Sequence, residues 1–144
     1  MPTRDEFIES FGTLTRSFRA MAHSAYEKLD VGTNQAKILR HVGKNGPMSQ
    51  AELSRATLTA PALTGRALAS LISRGWVRKK RSDEDRREYV VELTPSGEKA
   101  RKRVEEARKA LLGHIADALD ERDLDDFDRV AKKLMDAFER EKDA

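Results

Sequence analysis

No cysteine occurs in the 144 residues, which excludes disulfides, thiolate metal ligands and cysteine-based redox sensing at once. Histidine is nearly as scarce, and His23, His41 and His114 lie too far apart in sequence for the close spacing of a local zinc site. Long apolar runs are missing as well. Met1-Pro2-Thr3-Arg4-Asp5 reaches charge immediately, without the apolar core of a signal peptide, and no stretch is long enough to span a bilayer, so a cytoplasmic protein is expected. Neither a Ser-His-Asp arrangement, a phosphate loop nor a glycine-rich dinucleotide fingerprint is found, so nothing supports an enzyme, a cofactor or a metal.

What is present is charge. Charged residues make up 37% of the chain against 38% hydrophobic, and 28 basic side chains exceed 25 acidic ones. The length is that of one compact domain with a modest core, and the basic excess is compatible with a polyanionic partner. Where the cations sit matters more than their sum.

Phe7, Phe11, Leu14, Phe18 and Met21 recur at spacings of four and three, which predicts an amphipathic helix from about Thr3 to Lys28. After Asp30-Val31-Gly32, Thr33 is expected to cap a second helix carrying Ala36, Ile38, Leu39 and Val42, stopped by the breaker cluster Gly43 to Pro47. Ser49 with Glu52 three residues on forms a capping box, so a short third helix starts there, brings in Ala51, Leu53 and Ala56, and breaks at Thr57-Leu58-Thr59. Pro61 belongs in a first helical turn, which begins a fourth helix near Ala60 that ends at Arg74 before Gly75. Its inward face is Leu63, Thr64, Ala67, Leu68 and Leu71; the opposite face is Ala62, Gly65, Arg66, Ala69, Ser70 and Ser73. Trp76 to Arg81 and Tyr89 to Leu93 read as the strands of a hairpin, with Tyr89, Val91 and Leu93 on one face. Thr94 caps and Pro95 starts a long helix with Val104, Ala107, Leu111, His114 and Ala118 on one stripe. A final helix holds Leu124, Phe127, Val130, Ala131, Leu134 and Phe138.

This order predicts a mainly α (α+β) fold: a winged helix-turn-helix with long N- and C-terminal dimerisation helices, all one domain over residues 1–144. The winged unit is expected at about 31–94, and the dimerisation helices at about 3–28 and 95–141. The terminal helices carry more apolar surface than a small central unit can cover, so a second copy of the chain is the economical cover.

In a helix-turn-helix, the second helix enters the major groove by its N-terminal half, which brings Ala62, Thr64, Gly65 and Arg66 near bases, with Ser70 further along. An arginine can donate two hydrogen bonds to guanine O6 and N7. Arg78, Lys79, Lys80 and Arg81 lead to a hairpin tip bearing Arg86 and Arg87, a projection suited to a phosphate backbone and a narrow minor groove. The competing reading is a solvated edge hairpin whose charge protects it against strand pairing.

Leu71-Ile72-Ser73-Arg74-Gly75-Trp76-Val77, Asp83-Glu84-Asp85-Arg86-Arg87 and Leu93-Thr94-Pro95-Ser96-Gly97 resemble, in order and spacing, successive signatures of multiple-antibiotic-resistance-regulator (MarR) transcription regulators. The resemblance implies a triangular homodimer on a pseudo-palindromic, double-stranded DNA operator, with each wing in a minor groove. It implies that Arg87 is inserted there and that Asp85 orients it, that Ser49 and Gln50 touch phosphates, and that Thr64, Gly65 and Arg66 fall in the base-reading region. The family often has a hydroxyl residue just before the helix arginine, whereas Gly65 stands here, so base preference does not carry over. The resemblance further implies a pocket where the winged unit meets the dimer helices, for which Arg16, His23 and His41 are the candidate ligand-binding residues. A dimeric repressor released by a small-molecule ligand is the expected function. Its alternative is a winged-helix protein-interaction module with weak, nonspecific DNA binding.

Overall fold

The structure, a computed structural model, describes residues 1–143. Six helices and a hairpin follow in the order α1 (Arg4–Glu27), α2 (Thr33–Asn45), α3 (Gln50–Thr57), α4 (Pro61–Ser73), β1 (Val77–Arg81), β2 (Tyr89–Leu93), α5 (Pro95–Ala116) and α6 (Glu121–Lys142). This is the expected mainly helical winged helix-turn-helix.

Local chemistry sets most boundaries. The Thr3 hydroxyl accepts from the Glu6 amide while the Glu6 carboxylate accepts from the Thr3 amide, which starts α1. Asp120 and Asp123 do the same for α6. At α2 the sequence reading needs correction. Gly32 is the cap and Thr33 is already helical, with its hydroxyl 3.2 Å from His23 Nδ1. The helix also runs through Gly43 and stops only at Gly46, whose φ of 79° favours glycine. Gly43 serves close approach instead: a Cβ there would overlap the Arg101 side chain of α5.

Two compact units divide the chain, residues 1–109 and residues from Ala110 onward. In the first, Ile38 and Leu39 of α2, Leu53 of α3, Leu71 of α4 and Val104 of α5 are fully buried. Each such side chain stabilises by about 1.5–3 kcal/mol relative to exposure. Ala51 and Ala56 are exposed, as is Leu63 at 44%, contrary to the inward positions expected of them. An eight-residue helix has one buried stripe, and on α3 it is Leu53, Ser54 and Thr57.

The hairpin pairs Val77 with Leu93 and Arg81 with Tyr89. Met48 adds a short third rung: its amide donates to the Val91 carbonyl at 3.2 Å, and the Val91 amide donates back at 2.8 Å. Strict alternation along β2 therefore fails, with Val90 and Val91 both buried and Tyr89 exposed. Thr94 behaves as expected, its hydroxyl accepting from the Gly97 amide at 3.1 Å and donating to the Gly75 carbonyl at 2.5 Å. Gly97 lies so close to the Trp76 carbonyl that a Cβ would fall 1.8 Å from its oxygen, so this contact requires glycine. In the second unit, no residue of α6 is buried, and Phe127 is 62% exposed. No helix among the described residues is long and apolar enough to cross a membrane.

Candidate nucleic-acid interface

The interface candidates start at the N-terminus of α3. The Ser49 hydroxyl accepts from the Glu52 amide at 3.1 Å, and the Ser49 amide donates to the Glu52 carboxylate at 3.2 Å. Ser49 is buried. Its polar groups therefore build the helix start, and the exposed polar side chain at this corner is Gln50.

Leu58 turns the chain between α3 and α4 in the left-handed region, with φ 52° and ψ 43°. The Thr59 amide donates to the Ser54 carbonyl at 3.1 Å, and the Thr57 hydroxyl donates to the Leu53 carbonyl at 2.6 Å. These bonds close the turn so that Pro61 can open α4. On α4, Thr64, Ala67, Leu68 and Leu71 face the core, while Ala62, Arg66, Ala69 and Ser73 are exposed and Gly65 is half-exposed.

Two sequence candidates on α4 are accounted for internally. Thr64 is 1% exposed and its hydroxyl donates to the Ala60 carbonyl at 3.2 Å, so it is a core residue and not a base reader. Ser70 is half-buried and its hydroxyl accepts from Gln35 Nε2 at 3.1 Å. Arg66 has no hydrogen-bonding or ionic side-chain partner among the described residues.

Sequence reasoning missed a brace at the end of α4. Arg74 Nη1 donates to the Asp30 carbonyl at 2.6 Å and to Gln35 Oε1 at 3.1 Å, and its guanidinium lies 3.7 Å from the Trp76 ring centre. One side chain thus ties the start of α2, the end of α4 and the root of the wing. No local motif marks this, because its partners are 44 and 39 residues away.

The wing is organised by its own polar groups. The Ser82 hydroxyl accepts from the amides of Glu84 and Asp85, Ser82 N–H donates to the Glu88 carbonyl at 2.9 Å, and Glu88 N–H donates to the Asp85 carbonyl at 2.9 Å. Asp85 Oδ1 accepts from the Arg87 amide at 3.0 Å. Arg81 donates to the Arg86 carbonyl and packs 4.9 Å from the Tyr89 ring centre. Arg78 and Lys80 converge on Glu92 at 2.7 and 3.4 Å. That pairing holds the Glu92 carboxyl below its ordinary value, chiefly through the Arg78 hydrogen bond, against the opposing effect of burial and with Lys80 adding to it. Arg78 is thus not a free cation, whereas the side chains of Lys79, Arg86 and Arg87, with Arg55 on α3, pair with no carboxylate among the described residues.

The expected ligand residues do not come together. Arg16 is exposed and bonds within α1 to Thr13, His23 bridges to Thr33, and His41 Nδ1 donates to the Lys37 carbonyl at 2.8 Å. A groove of about 510 Å³ between α2 and α5 is lined instead by Arg40, Lys44, Arg101, Lys102, Lys109 and two glutamates, and none of the three expected residues borders it. Arg40 spans it to Glu105 at 2.8 Å.

A three-helix unit with a braced recognition-type helix and a basic hairpin is a winged helix-turn-helix. Residues 29–88 match the model of the MarR family. An uncharacterized HTH-type transcriptional regulator of Staphylococcus aureus is 30% identical over 92 residues, covering 64% of this chain and 63% of the relative. The chain thus spans under two thirds of the length of the curated relatives it matches. Among solved structures, Staphylococcus aureus MarR in complex with salicylate and kanamycin is similar with a TM-score of 0.81 at 22% identity, covering 95% of this chain and 93% of that one. A mutant Escherichia coli MarR complexed with operator DNA is similar with a TM-score of 0.75 at 20% identity, covering 92% and 99%.

Proposed function

We propose that this chain is a DNA-binding transcription regulator that acts as a homodimer on a pseudo-palindromic operator, represses from it, and is released by a small-molecule ligand. The observation that carries the reading is the set of unpaired cations, Arg66 on α4 and Arg86 and Arg87 on the wing, in a winged helix that matches the MarR family model. Arg66 would read guanine in the major groove, and Arg87 would enter the minor groove where its negative potential is enhanced. Apolar side chains left exposed along α1 and α6, among them Leu14 and Phe127, support a second copy as partner. The similar Escherichia coli protein is described with operator DNA and the Staphylococcus aureus one with salicylate, which supports both partner classes here. The groove between α2 and α5, with five cations against two carboxylates, suits an anionic ligand better than the Arg16, His23 and His41 set does.

The test is a titration against the DNA upstream of the protein's own gene and against a scrambled duplex, at low and at physiological salt. A preference of several hundred-fold that survives physiological salt supports a specific regulator. Equal, salt-sensitive binding to both duplexes overturns specific regulation at that site and favours the interaction-module alternative.

A further inference from the structure

On the exposed face of α4, Ala62, Gly65 and Ala69 offer no polar side-chain atom, and Thr64 and Ser70 are engaged within the protein. Arg66 is left as the main polar reader that the front half of this helix supplies from its own sequence. A groove-binding helix with a single reader distinguishes few sites, since each good bidentate pair fixes one base pair.

The missing polar group is supplied by the neighbouring helix. Gln50 is the first residue of α3, fixed in place by the Ser49–Glu52 capping box. Its carboxamide lies against α4 at Gly65: a Cβ built on that glycine would be 3.2 Å from Gln50 Nε2, and, apart from the adjoining residues and the backbone of α4 itself, no other described atom stands within 4 Å of it. A Cβ at residue 65 would press on the carboxamide and require it to give by a few tenths of an ångström. The carboxamide has no hydrogen-bond partner among the described residues, and the glycine it lies against immediately precedes Arg66 in the sequence. Gly65 thus leaves room for a reader reached from α3.

We propose that Gln50 is a specificity-determining residue: seated on Gly65, its carboxamide reads an adenine of the operator half-site through N6 and N7, next to the guanine read by Arg66. The inference rests on the DNA-binding reading above and reassigns Gln50 from a phosphate contact to a base contact. A carboxamide donates and accepts in the pattern that adenine presents in the major groove, whereas a phosphate uses only its donor half.

The full chain, the Gln50→Ala and Gln50→Glu variants and Gly65→Ala would each be used to select duplexes from a randomised library, followed by titration of the winning sequence. The wild type is expected to enrich a motif with an adenine and a guanine in each half-site. Gln50→Ala should erase the preference at the adenine alone and weaken binding of that sequence about tenfold or more. Gln50→Glu should shift the position towards cytosine, whose N4 donates to a carboxylate. Gly65→Ala, whose Cβ presses on the carboxamide and shifts it by a few tenths of an ångström, should weaken the preference at the same position while leaving the guanine intact. An unchanged motif with uniformly weaker binding in Gln50→Ala makes Gln50 a phosphate contact and overturns the proposal alone. No motif for the wild type overturns the DNA-binding reading together with it.

Discussion

Asp85 holds Arg87 by its main chain: the carboxylate accepts the Arg87 amide at 3.0 Å, and the guanidinium has no partner among the described residues. The acidic wing tip therefore shapes the loop without neutralising the cation it presents. Replacing Arg87 with alanine should weaken operator binding by about 1–3 kcal/mol and leave thermal unfolding unchanged, because an exposed, unpaired side chain contributes little to folding. Asp85→Ala should give a smaller loss through a looser loop. Titration of a specific duplex beside a melting curve checks both, and full affinity in Arg87→Ala would make the wing a solvated hairpin.

Glu92 restrains two wing cations, Arg78 and Lys80. Glu92→Gln should release both towards phosphate, raising affinity for nonspecific duplex and steepening the salt dependence by up to about two phosphate contacts' worth. The same residue fixes a pH dependence. Its carboxyl is held below the ordinary value of 4.5. The stabilisation from pairing is therefore complete above that value and lost as the pH falls through the lower native one. The melting-temperature gap between wild type and Glu92→Gln should accordingly narrow as the pH falls below 4.5 and close once it has passed through the lower native value. A gap that stays constant into acid would show that the ion pairs contribute nothing to hairpin stability.

Leu58 is an exposed leucine in the left-handed region at the turn between α3 and α4. A left-handed conformation costs a side-chain-bearing residue about 1–2 kcal/mol, partly offset by the greater unfolded-state freedom of glycine. Leu58→Gly should therefore stabilise the protein by up to about 1 kcal/mol, read as a raised midpoint in urea. A lowered midpoint would mean that the leucine side chain makes a contact whose loss outweighs the strain.

Much of this was legible in the sequence because it is local. The Ser49–Glu52 box, Pro61 at the start of α4, the Thr94 cap and the basic hairpin each depend on residues a few positions apart. What escaped depends on distant neighbours. Gly43 reads as a helix breaker until α5 is seen lying against it, and strict alternation in β2 holds only until Met48 pairs with Val91. Thr64 satisfied two sequence patterns at once, an inward stripe and a reading face, and burial decided for the first. The Arg74 brace and the seat of Gln50 on Gly65 join separate elements, and no spacing rule announces such pairs.

Leu14 on α1 and Phe127 on α6 are 59% and 62% exposed, among rows of apolar residues on both helices. Large apolar faces on helices of a small protein are unfavourable in water unless covered, and a two-fold operator calls for two copies of the reading unit. Glutamate at both positions should convert a species of about twice 16.3 kDa into one of 16.3 kDa by sedimentation, with the helical circular dichroism spectrum retained. Operator affinity should fall with it, since a single winged unit engages one half-site and forfeits the contacts of the other. A wild-type chain that sediments at 16.3 kDa while binding its site tightly would remove the homodimer from the mechanism.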